Sequence, residues 1–126
     1  MKQEDKKLLL KDLSARLPYG VYCQIDDEEQ PMLLYSVSGN TIGFVKNIAA
    51  MMVRSVTINR IKPYLRPLSS MTDAEKEYYY LTISMSMYAS NACELIDWLN
   101  KNHFDYRGLI SKNLAIEAPS DMYKFE

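Results

Sequence analysis

The residues of this sequence best suited to chemistry are a single histidine and the polar side chains that follow it. His103 stands near Asp105, Tyr106 and Arg107, and an acid beside an imidazole can tune it as a general base. A hydrolase would also need a nucleophile, Cys23 or a serine, within reach of that base. A lone histidine at a helix end more often contacts the last carbonyl groups. We therefore expect no catalytic residue, and a small hydrolase around His103 is a remote alternative.

The block around His103 also has a structural interpretation. Asp105 can cap the turn that follows it, and Arg107 can pair with Asp105 or project from the surface. We interpret this block as a lock that joins the last helix to the sheet. The alternative is that Asp105 and Arg107 line a recognition pocket.

Metal and cofactor motifs are missing from the sequence. The acidic run 26–29 could attract a divalent cation, but consecutive side chains diverge, and the internal glycine and closing glutamate of a calcium loop are absent. There is no Cys-x-x-Cys, no His-Glu-x-x-His and no glycine-rich phosphate loop. We expect no cofactor and no metal.

The middle third of the chain is basic. Residues 30–72 contain five bases and no acid, although the net charge of the whole chain is −1. Bases interleaved with aromatic rings are typical of surfaces that contact nucleic acid. The candidate contacts are Lys46, Arg54, Arg60, Lys62, Tyr64 and Arg66. The competing interpretation is that these lysines and arginines occupy the solvent-exposed face of a sheet, where they also prevent edge-to-edge pairing. A pI near 5.9 favours this interpretation.

Apolar spacing predicts the elements of the first half of the chain. A helical period over 3–17 predicts an amphipathic helix that Pro18 ends. Alternation predicts strands over 19–26, 32–37, 41–46 and 54–58, with a tight hairpin turn at 38–40. Gly43 indicates a bulge or a close backbone approach. Residues 48–53 have no clear state, and prolines make 62–67 extended.

Capping residues predict the elements of the second half. Thr72 and Glu75 form a capping box, so a helix should begin at Asp73 and run to about 80. Period-two alternation then predicts a strand over 81–87. A second helix should open at Asn91, bury a face made of Cys93, Leu95, Ile96 and Leu99, and end within 100–103. Residues 105–112 suggest a last helical turn, with a left-handed cap at Asn113.

Composition indicates one domain spanning residues 1–126. The chain is 48% hydrophobic and 25% charged, a balance typical of one globular unit. We expect an α+β fold: a small antiparallel sheet of three to four strands that can curl like a barrel, an N-terminal helix and C-terminal helices. The charged start and the lack of a long apolar run predict a cytoplasmic protein without a membrane contact. Cys23 and Cys93 are expected to be reduced and buried.

The tyrosines point to a binding surface. Tyr78, Tyr79 and Tyr80 are consecutive, and three consecutive helical positions cannot all face one core. At least one ring should be exposed, which favours an unknown protein partner or a homo-oligomer. The alternative is that tyrosine bodies cover the core and leave only their hydroxyls wet.

Four blocks of this sequence resemble a family of short uncharacterised proteins from anaerobic gut bacteria and their prophages. The blocks are residues 17–21, 61–72, 102–110 and 114–119. The resemblance implies a phage or mobile-element setting and carries no activity and no functional residue. We therefore predict a non-catalytic accessory or protein-binding protein of that origin, with a nucleic-acid-contacting module as the alternative.

Overall fold

The fold is α+β, as predicted. The structure is a computed structural model that describes residues 1–26, 28–47, 49, 52–85 and 87–123. Its elements in chain order are α1 (Gln3–Arg16), β1 (Tyr22–Ile25), β2 (Met32–Ser38), β3 (Thr41–Val45), β4 (Arg54–Thr57), β5 (Ile61–Leu65), α2 (Asp73–Ser84), α3 (Ala89–Lys101) and β6 (Ile116–Glu117). The first helix, the first four strands and the hairpin are confirmed. Of the ambiguous stretch 48–53, residues 48, 50 and 51 lie outside the described residues.

The sheet is larger than the sequence predicts and it is open. Six strands follow the order β4-β3-β2-β1-β5-β6. All neighbours are antiparallel except β5 and β6, which run parallel. The expectation of three to four antiparallel strands, curled like a barrel, is therefore wrong. The two additional strands are harder to recognise in sequence, because one contains Pro63 and the other has only two residues, too few to show alternation.

Strand β5 accommodates Pro63 because of its register. The Asp26 backbone N–H donates to the Arg60 carbonyl, which makes that pair hydrogen-bonded. Bonded and non-bonded pairs alternate along an antiparallel ladder, so the pair Cys23 and Pro63 is non-bonded. The Pro63 nitrogen therefore points away from β1, and the pairing of β5 with β1 requires no N–H at this position.

Gly43 marks a close approach between strands. The pairing of β2 and β3 shifts register between Leu34 and Ser36, and Ser36 lies opposite Gly43. A β-carbon added at Gly43 would lie 2.2 Å from the Ser36 hydroxyl oxygen. The predicted bulge or close approach is confirmed, because any side chain at position 43 would collide with Ser36.

One face of the sheet and α1 enclose the main core. Leu9 and Leu13 of α1 are fully buried in the same cluster as Cys23 and Phe44. A second, smaller cluster lies at α3 and contains Met71, Leu95, Leu99 and Phe104, with Tyr79, Trp98 and Tyr106 packed against it. The two helices that follow the sheet thus rest on their own small core.

Helix α2 continues beyond the predicted boundary. It extends to Ser84, and the predicted strand over 81–87 is wrong in its described residues. The Thr82 hydroxyl donates to the Tyr78 carbonyl and the Ser84 hydroxyl to the Leu81 carbonyl, so both polar side chains bond within the helix. Alternation indicates a strand only when one face is buried, and here Leu81 and Met85 are both exposed.

Helix α3 begins earlier than predicted. Its first residue is Ala89, and the side chain of Asn91 donates to the Met85 carbonyl instead of capping. Cys93 and Ile96 are exposed, so the predicted buried face is wrong at those two positions and correct at Leu95 and Leu99. Both cysteines are free.

The ends of the helical region follow local signals. The capping box of Thr72 and Glu75 is formed, and α3 ends at Lys101, inside the predicted range 100–103. Residues 105–112 form turns, with no helix. Asn113 has the predicted left-handed conformation, with a φ of 61°.

Candidate functional site

The six candidate nucleic-acid contacts do not share one surface. Lys62 and Tyr64 alternate with buried residues of β5 and lie on the face of the sheet opposite the main core. Arg54 lies opposite Phe44 and its guanidinium carbon is 5.4 Å from that ring centroid, on the core side. Lys46 is exposed just after β3. The basic residues are therefore divided between the two faces of the sheet.

Three of the five basic side chains, Arg54, Arg60 and Arg66, face a carboxylate. Arg54 forms an ion pair with Glu28, and Arg60 lies 3.6 Å from Asp26. Lys62 donates to the side-chain oxygen of Asn113 at 3.1 Å. These contacts lower the positive potential that a phosphate backbone would meet.

Arg66 links the sheet to α2. Its guanidinium donates to both carboxylate oxygens of Glu75, at 2.7 and 3.0 Å, and its Cζ lies 4.1 Å from the Phe104 ring centroid. Partial burial acts to raise the pKa of Glu75, but the bonds from Arg66 and from the Thr72 backbone outweigh it and hold that pKa below its usual value. Arg66 thus fixes the beginning of α2 to the end of β5.

His103 caps α3 through its backbone. The Phe104 N–H donates to Leu99 and the His103 N–H to Asn100, and His103 has a φ of 63°. This is the left-handed position of a Schellman motif. The imidazole is only 4% exposed and stacks on Tyr123, with centroids 3.7 Å apart. His103 lies at the helix end, as expected, but its ring stacks on Tyr123, and the contact with a last carbonyl group of α3 is made by its backbone N–H.

The electrostatics around His103 and Cys23 disfavour proton transfer at neutral pH. Burial, with the charges of Arg16 and Arg66, lowers the pKa of His103 to about 4, which makes the imidazole a weak base. Burial raises the pKa of the Cys23 thiol far above its usual value, and the nearby charge of Asp12 adds to that effect. A thiol kept protonated is a poor nucleophile.

A buried polar network joins α1 to the segment after α3, and the sequence analysis missed it. Asp12 and Arg16 are completely buried and paired at 2.8 Å. Arg107 donates to Asp12 at 3.2 Å, and Arg16 donates to the Phe104 carbonyl at 2.7 Å. The signal was present: positions 12 and 16 share the helix face of the apolar positions 9 and 13.

The predicted lock around Asp105 is formed, with one difference. Asp105 accepts from the N–H groups of Leu109 and Ile110, as a cap should. Arg66 and Phe104 form a parallel β-bridge. The Arg66 N–H donates to the His103 carbonyl, and the Asp105 N–H donates to the Arg66 carbonyl. Arg107 pairs with Asp12 and not with Asp105, because α1 brings a buried carboxylate within reach.

An exposed apolar surface lies where α2 ends and α3 begins. We call it the hairpin patch, and its large apolar side chains are between 41% and 81% exposed. They are Tyr80, Leu81, Ile83, Met85, Met87 and Tyr88. The sequence has no charged residue between Glu77 and Glu94. The prediction that one ring of the tyrosine triplet is exposed is confirmed at Tyr80.

The surroundings of the hairpin patch explain its exposure. Every residue of α2 is described, and none is fully buried. The helix contacts α3 along one side, where Tyr78 lies 4.7 Å from Trp98 between ring centroids. Tyr80 lies on the opposite side of the helix, and the described elements of the chain leave it exposed.

No group of three or more histidine, cysteine, aspartate or glutamate residues among the described residues could hold a metal ion. In the same part of the chain, no helix is long and apolar enough to cross a membrane. No family model, curated protein or solved structure matches the chain.

Proposed function

We propose that this protein is a non-catalytic protein-binding protein that contacts its partner through the hairpin patch. The observation that supports the proposal is six large apolar side chains exposed side by side in sequence in a stretch without charge. At ~200 Å² for a fully exposed large side chain, they present about 700 Å² to solvent. Monomeric proteins rarely expose apolar patches above a few hundred Å² unless the patch is an interaction site.

The residue types also favour a protein partner. Tyrosine and methionine are enriched at protein interfaces, whereas lysine and glutamate are depleted in their centres. Tyr80, Met85, Met87 and Tyr88 supply the first kind, and the patch contains none of the second. The phage or mobile-element setting is a further part of the proposal and rests only on the resemblance of the four sequence blocks.

A photo-cross-linking experiment tests the proposal. Benzoyl-phenylalanine is introduced at Met87, which is 81% exposed, or at Met52, a control that is 78% exposed and precedes β4. After irradiation in cells, we expect discrete protein adducts from position 87 and none from position 52. Equal adducts from both positions, or none from position 87, would contradict a specific binding surface.

The nucleic-acid alternative makes a different prediction. Phosphate contacts weaken steeply with salt, so that module would shift DNA or RNA in a gel at low salt and lose the shift at moderate salt. Replacing Arg60 and Lys62 with glutamate should then abolish the shift. A chain that binds no nucleic acid even at low salt excludes this alternative.

A further inference from the structure

Helix α2 is weakly supported by the other described elements. It has 12 residues, none fully buried, and isolated helices of about this length are marginal in water because packing supplies most helical stability. Its contacts include the ion pair of Glu75 with Arg66 at its beginning, the ring contact of Tyr78 with Trp98 and the packing of Tyr79 on the smaller core cluster. Toward its end, the side chains of Tyr80, Leu81 and Ile83 are exposed.

The apolar side chains at the end of α2 spread over more than one side of the helix. At 100° per residue, Tyr80 and Ile83 lie about 160° and about 140° from Tyr78, which meets α3, and Leu81 lies about 60° from it. Thr82 and Ser84 are the polar residues of this turn. Large apolar side chains on several sides of a helix are normally covered. The geometry therefore requires a cover for the end of the α2–α3 hairpin, and no other element of this chain supplies one among the described residues.

The size of the surface indicates what kind of cover fits. The hairpin patch presents about 700 Å², close to the ~800 Å² that each partner buries in a standard stable interface. A partner that stays bound would keep this area covered. A second copy of the chain is always present at an equal concentration.

The charge of the surface permits self-association. The sequence from Tyr78 to Cys93 contains no aspartate, glutamate, lysine, arginine or histidine. The flanking Glu77 and Glu94 lie outside the patch. A two-fold axis places the same patch on both sides of the interface, so a charged patch would repel its own copy. Homodimer interfaces are also the more apolar class.

We propose that the occupant of the hairpin patch is a second copy of this chain, so that two α2–α3 hairpins pack about a two-fold axis as a four-helix arrangement. This inference rests on the proposed function, because it names the partner of the same surface. Tyr80, Leu81, Met85, Met87 and Tyr88 of each copy fill the centre of the interface. The sheet, with its exposed Met52, lies outside it.

Sedimentation of the full chain tests the proposal. We expect a species of twice 14.6 kDa at concentrations down to about 1 µM. Met87→Glu and Leu81→Glu should each raise the dimer dissociation constant about 100-fold or more, since symmetry introduces each carboxylate twice. Met87→Leu and the matched control Met52→Glu should leave it unchanged. Circular dichroism and Trp98 fluorescence check that each variant is folded.

Each other outcome overturns the inference in an identifiable way. A chain that is monomeric at all concentrations refutes the second copy, and if position 87 still cross-links to a different protein, the proposed function survives. A dimer that is lost in Met52→Glu and kept in both patch variants places the interface at the sheet. Co-sedimentation of the wild type, but not of Met87→Glu, with neutral phosphatidylcholine vesicles in place of dimerisation makes the occupant a lipid surface.

Discussion

At the scale of single residues, His103 has two structural roles: its backbone ends α3, and its side chain is buried against Tyr123. Its left-handed φ ends α3, and its ring is enclosed by Tyr123 and by the charges of Arg16 and Arg66. Desolvation and the two arginines both oppose protonation. The folded protein therefore holds a neutral imidazole well below the pH at which a free histidine is charged.

This enclosure predicts that acid destabilises the protein through His103. The unfolded chain takes up the proton near pH 6.5 and the folded chain only near pH 4. The unfolded state thus binds more protons between these values, so the free energy of unfolding is highest above pH 6.5 and falls as the pH decreases. The contribution lost by pH 4 is about 3 kcal/mol, measured by urea unfolding at a series of pH values.

The control for this measurement is His103→Asn, because asparagine also adopts the left-handed conformation. The difference between wild type and variant isolates the imidazole. Glu75 also loses stabilising free energy as the pH falls, because its folded pKa is lowered, but it does so in both proteins. Parallel stability curves from pH 7 to 4 would show that the ring is not kept neutral.

At the scale of elements, Tyr123 replaces a missing bond between two strands. The register of β1 and β5 makes Tyr22 and Tyr64 the next hydrogen-bonded pair after Gln24 and Lys62. Instead, the Tyr22 N–H donates to the Tyr123 hydroxyl at 2.9 Å, and that hydroxyl donates to the Tyr64 carbonyl at 2.8 Å. Burial raises the pKa of Tyr123, which keeps the phenol protonated and able to donate.

Tyr123→Phe should therefore weaken the junction of β1 and β5. The variant leaves the Tyr22 N–H and the Tyr64 carbonyl without the bridging hydroxyl, and we expect the free energy of unfolding to fall by about 2 kcal/mol. Hydrogen exchange should show faster exchange at the Tyr22 amide in particular. Tyr35→Phe, at an exposed ring of β2, is the control. An equal effect from both substitutions would mean that the bridge does not stabilise the sheet.

The same scale explains where sequence patterns failed. Leu81, Ile83, Met85 and Met87 alternate with smaller residues as a strand would, yet α2 continues to Ser84, and no strand among the described residues pairs with this segment. The propagation of a helix from a strong capping box at Thr72 then decides the local structure. In the proposed dimer, the apolar residues of this pattern contact another copy.

At the scale of the whole molecule, the buried charges hold separate elements together. Asp12 of α1 receives bonds from Arg16 and from Arg107, and the Tyr106 hydroxyl continues the network to Asn100 of α3. Removing one member of a buried ion pair leaves an uncompensated charge, which costs more than the pair itself contributes. The network thus makes the attachment of α1 to α3 sensitive to one carboxylate.

Asp12→Asn tests this coupling. We expect the free energy of unfolding to fall by about 3 to 5 kcal/mol, because two guanidinium groups lose their shared counter-ion. The measurement is urea denaturation followed by Trp98 fluorescence and by circular dichroism. Glu4→Gln removes the same charge from an exposed position of α1 and should cost less than about 1 kcal/mol. Similar losses in both variants would contradict a stabilising network.

The sequence by itself determined those parts of the protein that local physics controls. The apolar period of α1, the hairpin at Gly39 and the capping box at Thr72 each involve residues close together in the chain, so their patterns are legible without the fold. The same holds for the helix end at His103 and the cap at Asp105.

The tertiary structure alone decided what depends on distant neighbours. The strand partners of Ile61–Leu65 and Ile116–Glu117, the dispersal of the basic residues over two faces, and the burial of Asp12 all arise from contacts between remote segments. The hairpin patch belongs to this group as well: its residues were visible in the sequence, but only the packing of α2 on α3 showed that one chain leaves them uncovered. Burial is a property of the assembled elements, and a sequence pattern can state only which residues require it.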